Sequence, residues 1–437
     1  MKLHTVKVPH RKNTKSFRAV AMPTPALVTL PTVMHIGAPA KPIVKPGDSV
    51  AIGQPVAEPG GVISSFVHAP VSGTVKSVSR IRLANGALTD AITIASDGEN
   101  RYYTGLVPPE VTDFQSFTDA VRASGVVGLG GAGFPTMIKL SPKNLAALDT
   151  VIVNGAECEP YITSDTRTML DRTNDIADGV SLLRRFLGAK RVIIAVEDNK
   201  PECIQKLKTY FPDEKTEIAV LPSRYPQGSE KVLIYNILGR TVAEGKLPID
   251  VGVIVLNCTT LAVVANYIKT GMPLIQKCVT VDGDAVMHPM NVLVPIGTPV
   301  ADVFAFTGGF KQPPAKILYG GPMMGITMPD TSAPVLKNTN ALIALSERSA
   351  KLTEPSACIR CGRCVSHCPM NLMPPMIAAA YKKRDGDALC ELKVNLCMEC
   401  GCCAYVCPAH RPIVQTNKLA KRLAADAAKS AKGAGKK

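Results

Sequence analysis

The apolar and polar positions of this chain change period along its length, and each change marks a boundary. Residues 1–30 carry no sustained period and read as a loosely structured basic arm. From His35 to about Ile94, apolar residues alternate in short runs between Pro/Gly turns. Lys45-Pro46-Gly47-Asp48 precedes Ser49-Val50-Ala51-Ile52, and Ala69-Pro70-Val71-Ser72-Gly73 precedes Thr74-Val75. Short period-two runs between turn residues predict a small β barrel or sandwich over 31–100. Over 110–275 the pattern alternates between helical and continuous apolar stretches. Helices are expected over 112–124, 165–187, 201–210, from about 230 to Gly239, and 260–269, and strands over 150–153, 191–196, 217–221 and 251–256. That βαβα rhythm predicts an α/β domain with a mainly parallel sheet. The run Val279 to Val286 predicts a hairpin turning at Asp282-Gly283. With the strand and helix that follow, it suggests a β-grasp unit over 276–326. Residues 327–349 read as an extended linker, 350–412 as a further domain, and 413–437 as an Ala/Lys-rich basic tail, frayed helix or disordered.

Composition adds constraints. At 437 residues the chain exceeds one core. The net charge of +15 is concentrated at the ends: Lys2, Lys7, Arg11, Lys12, Lys15, Arg18, Lys41 and Lys45 all precede the first acidic residue, Asp48, and Asp426 is the lone acid after Lys418. Basic ends can meet nucleic acid, anionic lipid or acidic proteins. No nucleic-acid motif or basic–aromatic interleaving is present, so nucleic acid is not expected as a partner. For any single Lys a solvated surface charge is the plainer reading. The first stretch lacks the apolar core of a signal peptide. The best membrane-span candidate, Val251 to Ile268, is broken by Asn257, Thr259, Thr260 and Asn266.

Of the 14 cysteines, eight form two copies of one spacing: Cys358-x2-Cys361-x2-Cys364-x3-Cys368-Pro369 and Cys397-x2-Cys400-x2-Cys403-x3-Cys407-Pro408. This is the spacing that holds two [4Fe–4S] clusters, with the fourth thiolate of each run crossing to the other cluster. The expected sets are therefore Cys358, Cys361 and Cys364 with Cys407, and Cys397, Cys400 and Cys403 with Cys368. Structural zinc also favours Cys-x2-Cys, but without a third Cys at the same step or a closing Cys-Pro. The remaining six cysteines, Cys158 and Cys402 among them, are scattered, as buried thiols in a reducing compartment would be.

A second chemistry lies in the α/β region. Gly128-Leu129-Gly130-Gly131-Ala132-Gly133-Phe134-Pro135 holds more glycine than a turn requires. Without Cβ atoms, bare N–H groups can approach a phosphate or a flat ring. Taken alone, the embedded G-x-G-x-x-G is weak, and a packing turn remains the alternative. The strand 150–153 ends in Asn154-Gly155-Ala156-Glu157-Cys158-Glu159-Pro160, polar groups where an α/β sheet places ligands.

Together these two blocks, with Lys139, resemble the FMN- and NADH-binding flavoprotein subunit of respiratory complex I. The order of parts narrows the likeness. A barrel with biotinyl/lipoyl-like spacing, a flavoprotein-like domain, a β-grasp (SLBB) unit and a two-cluster ferredoxin-like helical domain together look like the C-subunit family of Rnf-type ion-translocating ferredoxin:NAD oxidoreductases. The resemblance covers about residues 20–412. It implies a multidomain α/β and α+β chain in which Gly128, Gly130, Gly131, Ala132, Gly133, Phe134, Lys139, Asn154, Glu157, Glu159, Gly228, Ser229, Glu230 and Asn257 surround FMN and NAD(H). Lys139 would face the flavin phosphate and the two glutamates the ribose hydroxyls; a surface Lys, and helix-cap or salt-bridge glutamates, are the alternatives. Ala156, Tyr161 and Leu129 depart from the complex I pattern of Asp, Gly and Arg. A flavin would adapt two-electron hydride exchange to one-electron clusters. The implied protein is a peripheral NAD(H)-handling subunit on the cytoplasmic side of the inner membrane. Its implied partners are the other subunits of the complex, ferredoxin through them, and the membrane surface. The rival readings are a soluble cobalamin-type flavin/iron–sulfur reductase and a non-enzymatic electron wire with a dead flavin site.

Overall fold

The computed structural model describes residues 4–212 and 215–434. The β-rich N-terminal part packs the sheet Leu27–Pro31, Leu88–Ser96, Gly73–Arg82 and Ser49–Val50 against a smaller sheet of Lys41–Pro42, Pro55–Glu58 and Val67–His68. Val28, Leu30, Val56, Val75, Ile92 and Ile94 all point inward and are fully buried. Their core continues through Phe117, Val127 and Leu129 into Val151 and Leu261 of the next domain, so barrel and α/β domain share one apolar cluster.

The α/β domain is built on a parallel sheet whose strands lie side by side as Thr216–Leu221, Arg191–Glu197, Thr150–Gly155 and Val253–Asn257. In chain order this is 3-2-1-4. The connections therefore reverse direction between the first and fourth strands, where ligands bind in such sheets. At that point Asn154 and Asn257 are register partners at the carboxyl ends of their strands. The expected helix over 165–187 is two helices, Ser164–Asp171 and Thr173–Leu187, broken at Arg172.

Four expectations are corrected. Of the arm over 1–30, residues 1–3 lie outside the described residues and 4–30 form an ordered strap. Val6 pairs with Tyr225, Val20–Ala21 extends the sheet of the β-grasp unit, and Leu27–Pro31 is a barrel strand. Lys12, within the strap, is half-buried and its ammonium donates to the carbonyls of Glu157, Glu159 and Ile162 at 2.7, 2.8 and 2.5 Å. The segment has no period of its own because its partners are spread over three domains.

The Asp282-Gly283 turn does not close a tight hairpin. Strand Gln276–Asp282 pairs with Met290–Pro295 across a longer loop. Gly283 instead lies against strand Ala341–Leu345, where an added Cβ would stand 2.0 Å from the Ala344 carbonyl oxygen. The supposed linker 327–349 contains that strand. It is buried along its whole length, between Gln276–Asp282 and Lys316–Tyr319. Finally, the tail from 413 is the helix Ile413–Ala434, whose Ala420 and Ala424 pack on Ile377, Leu389 and Val394 of the cysteine-rich domain; residues 435–437 lie outside the described residues.

Candidate functional site

The glycine loop sits over the switch point of the sheet. Leu129, fully buried, anchors it, and its N–H donates to Thr260 Oγ1 at 2.9 Å. Gly130 passes so close to Asn257 that a Cβ would lie 2.4 Å from its Nδ2. Gly128 N–H bonds the Phe134 carbonyl at 2.8 Å, closing the loop, and Gly133 takes a positive φ of 72° and accepts from Ile36 N–H of the barrel at 3.1 Å. Gly130, Gly131 and Ala132 are exposed. Among the described residues their N–H groups have no hydrogen-bond partner. A Cβ on Gly131 would meet nothing within 4 Å. The loop therefore offers a row of free donors to open space, as a phosphate or the polar edge of a flat ring requires.

The strand end and the turn after Tyr225 converge on the same place. Asn154 Nδ2 donates to the Gly228 carbonyl at 2.9 Å, and its Oδ1 accepts from Ala156 N–H at 3.0 Å. Gly228 has room for no side chain, since its Cβ would stand 2.3 Å from the Ala156 carbonyl. Ser229 and Glu230 start the helix Glu230–Leu238. The buried Thr136 Oγ1, Ser164 Oγ and Gln227 Nε2 have no partner among the described residues.

Several candidate side chains are otherwise engaged. Lys139 Nζ bonds Glu230 Oε1 at 2.6 Å and the Val255 carbonyl at 3.0 Å, so each of these two candidates neutralises the other. Glu157 does not face outward to a ribose. Its carboxylate is buried and accepts from Asp165 N–H and Thr166 Oγ1, both at 2.7 Å, at the start of the helix Ser164–Asp171. Glu159 likewise accepts from the N–H groups of Met323 and Met324, at 3.0 and 2.8 Å, tying the strand end to the β-grasp unit. Burial pushes the Glu159 carboxyl up to about 7 against those two donors. Both carboxylates are thus engaged within the chain, Glu157 at the start of a helix, as in the helix-cap alternative, and Glu159 as a tether to the β-grasp unit. Asn257 caps the helix Cys258–Thr270 through Thr260 N–H and donates to Asp165 Oδ2 at 2.8 Å.

Sequence reasoning missed Lys277. Its ammonium is fully buried and donates to the Leu129 carbonyl at 2.9 Å, directly under the glycine loop. Among the described residues it has no carboxylate partner within ion-pair distance. Burial holds its pKa below the usual lysine range. A lysine in a β-strand of another domain gives no local signal of this. Asn338, from the supposed linker, donates to the Gly131 carbonyl at 3.0 Å. Barrel, β-grasp unit and the 327–349 segment all grip the loop.

The eight motif cysteines line two separate cavities. Cys358, Cys361, Cys364 and Cys407 surround one of about 160 Å³, and Cys368, Cys397, Cys400 and Cys403 a tighter one of about 20 Å³. Among the described residues no three His, Cys, Asp or Glu side chains converge on one metal-ion position. Thiolates spread around a cavity suit a multi-iron cube rather than one zinc ion. The two copies share their backbone turns. Arg360 and Glu399, Gly362 and Gly401, and Asn371 and His410 all have positive φ at equivalent places. The first set opens to solvent at Cys358 and Cys361, whereas Cys368, Cys400 and Cys403 are buried. Cys402 is a packed thiol whose Sγ lies 4.0 Å from the Tyr225 carbonyl. Cys158 Sγ accepts from Gly228 N–H at 3.4 Å, and burial pushes its thiol up to about 12, so it stays protonated.

Comparison with known proteins adds the context. Residues 4–99 match the RnfC barrel sandwich hybrid domain, 121–266 the Nuo51 FMN-binding domain, 278–327 the SLBB domain and 350–408 the 4Fe-4S dicluster domain. The chain is 42% identical over 371 residues to the C subunit of the Na(+)-translocating ferredoxin:NAD(+) oxidoreductase complex of Acetobacterium woodii, covering 84% of each chain. It is 38% identical over 364 residues to the proton-translocating counterpart of Clostridium ljungdahlii (83% of this chain, 80% of that one). It is 41% identical over 418 residues to the C subunit of the ion-translocating oxidoreductase complex of Rhodobacter capsulatus (94% and 80%). A crystal structure of an NAD+-reducing [NiFe]-hydrogenase in the air-oxidized state shares the fold, with a TM-score of 0.51 at 17% identity over 72% of this chain and 63% of that one. On its four matched domains and these identities, the chain belongs to the C-subunit family of ion-translocating ferredoxin:NAD(+) oxidoreductase complexes.

Proposed function

We propose that this chain is the NAD(H)-oxidoreducing subunit of a membrane electron-transfer complex, linking iron–sulfur carriers fed by ferredoxin to NAD through FMN, with ion translocation carried by partner subunits. The observation that carries the reading is the joining of two sites by one turn. Tyr225 to Gly228 is bonded to Asn154 at the strand end and to Cys400 in the cysteine-rich domain.

FMN fits the residues present. The free N–H groups of Gly130, Gly131 and Ala132 and the N-terminus of the helix Cys258–Thr270 suit its phosphate and ring edge. The buried Lys277 ammonium compensates anionic charge from below. Bound there, FMN supplies the exchange between a two-electron nicotinamide and one-electron clusters. The chain's part is to orient nicotinamide and ring through Asn154 and the Gly228–Glu230 turn, and to keep water from the buried side. Two [4Fe–4S] clusters fit the two cysteine quartets, with Cys368 and Cys407 exchanged between the runs.

Among the described residues no helix is long and apolar enough to cross a membrane. Peripheral attachment at the cytoplasmic face of the inner membrane is the placement we propose. The exposed Lys7, Lys15, Arg18, Arg422 and Lys429 offer charge to anionic lipid or to acidic partner surfaces. Anaerobic purification from membranes tests the reading. About eight irons and one FMN per chain, with integral membrane proteins co-purifying, support it. Clusters with no flavin leave the electron wire, and a soluble flavin/iron–sulfur protein without membrane partners favours the cobalamin-type reductase.

A further inference from the structure

We propose that Asn417 and Lys421, on the helix Ile413–Ala434, raise the reduction potential of the inner iron–sulfur centre, the one held by Cys368, Cys397, Cys400 and Cys403. The inference rests on the cluster assignment made above and adds two residues outside the cysteine motifs. Asn417 is 1% exposed, and its Nδ2 donates to Cys397 Sγ at 3.5 Å. Its Oδ1 has no partner among the described residues, so the sulfur is the one polar group the side chain meets there. One helical turn on, Lys421 Nζ donates to the Cys397 carbonyl at 3.0 Å and to Glu399 Oε1 at 2.7 Å. Glu399 lies inside the Cys397–Cys400 turn, and Lys418 approaches its other oxygen at 3.8 Å. Spacing of four residues puts Asn417 and Lys421 on one helix face, so a single docking surface delivers both groups to one cysteine.

The direction follows from charge. A cluster held by four thiolates is anionic, and reduction adds one electron without a bonded proton. An N–H directed at a ligand sulfur draws off negative charge, and a cation beside the same residue compensates it. Both favour the reduced form and so raise the potential. Lys421 also offsets Glu399, whose carboxylate would otherwise oppose reduction. The outer quartet is not served in this way. Among the described residues no side chain donates to the sulfur of Cys358, Cys361, Cys364 or Cys407. The two centres therefore give each experiment its own control.

The test is an EPR-monitored dithionite titration of the anaerobic, iron-loaded full chain as wild type, Asn417→Leu, Lys421→Met and Lys421→Arg, with iron assayed in each. One of the two cluster signals should move to lower potential in Asn417→Leu and in Lys421→Met. A shift of about tenfold in the reduction equilibrium, ~59 mV for one electron, is expected. The other signal should stay in place, and Lys421→Arg should remain close to wild type. If Asn417→Leu loses iron, Lys421→Met decides, because that side chain is partly exposed and touches no sulfur. Full iron with both potentials unmoved in Lys421→Met overturns the proposal. A wild type that binds no clusters overturns the cluster assignment itself, and this inference with it.

Discussion

The phenol of Tyr225 donates a 2.7 Å hydrogen bond to the carbonyl of Cys400. Tyr225 is 1% exposed and pairs through its backbone with Val6 of the N-terminal strap. Met323 closes the same junction, with its carbonyl 2.9 Å from where a Cβ on Gly401 would stand. The Cys400 turn of the inner quartet thus meets the turn that is bonded to the end of strand Thr150–Gly155.

Tyr225→Phe should leave the fold intact at a cost of about 1 kcal/mol for one buried hydrogen bond. Under our reading it slows the passage of electrons between the two sites. In stopped-flow mixing with NADH the flavin band should bleach at the wild-type rate and the iron–sulfur band should lag. Equal rates for both bands would remove Tyr225 from the route.

Gly130 and Gly131 separate structure from ligand. Gly130→Ala drives a Cβ into Asn257 and should cost about 1–3 kcal/mol of stability. Gly131→Ala meets no protein atom and should leave the melting temperature unchanged. If the flavin lies over that open space, Gly131→Ala weakens FMN binding, measured by fluorescence quenching, by tenfold or so. Unchanged FMN affinity would place the flavin elsewhere.

Glu159 distinguishes a tether from a ribose ligand. Glu159→Ala frees Met323 and Met324 N–H and should raise hydrogen exchange across residues 321–326. As a tether, it should leave the KM for NADH within about twofold; a rise of tenfold or more would restore the ribose role.

Lys337 gives the fold a pH dependence. It is buried at the junction of barrel and α/β domain, donating to Ser65 Oγ, to the Phe66 carbonyl and to the Gly125 carbonyl, and burial lowers its pKa to about 7. His35 and His68 face the same site and are lowered to about 4 and about 3, by burial first and by Lys337 second. Because the folded pKa of Lys337 lies below the unfolded one, the unfolded chain binds more protons between pH 7 and the ordinary lysine value of 10.5. Stability should therefore rise with pH across that window and be lost as pH falls through 7, by an amount on the order of a few kcal/mol. Lys337→Met should flatten this slope in a series of melting curves; an unchanged slope would assign it to other groups.

The sequence made legible what depends on local period or fixed spacing. The strands from Thr150 and Arg191 are continuous apolar runs between helical stretches, and the cysteine spacing needs no tertiary knowledge to read. What it hid depends on distant partners. Lys12 looks like any surface lysine until the carbonyls of Glu157, Glu159 and Ile162 are seen around it. Ala341–Leu345 is too short to announce itself as an inner strand. The helix Ile413–Ala434 packs through alanines, whose small side chains resemble a low-complexity tail. Glu157 and Glu159 stand in a ligand-like position, but their direction is set by the helix and β-grasp N–H groups they cap.

We propose that one chain passes electrons between NAD(H), a flavin and two clusters. The most direct measurement is the visible spectrum of the anaerobic, cofactor-loaded chain during a stoichiometric NADH titration. Loss of flavin absorbance followed by bleaching of the broad iron–sulfur band is the expected result. A full complement of FMN and iron with no spectral change on adding NADH would contradict it.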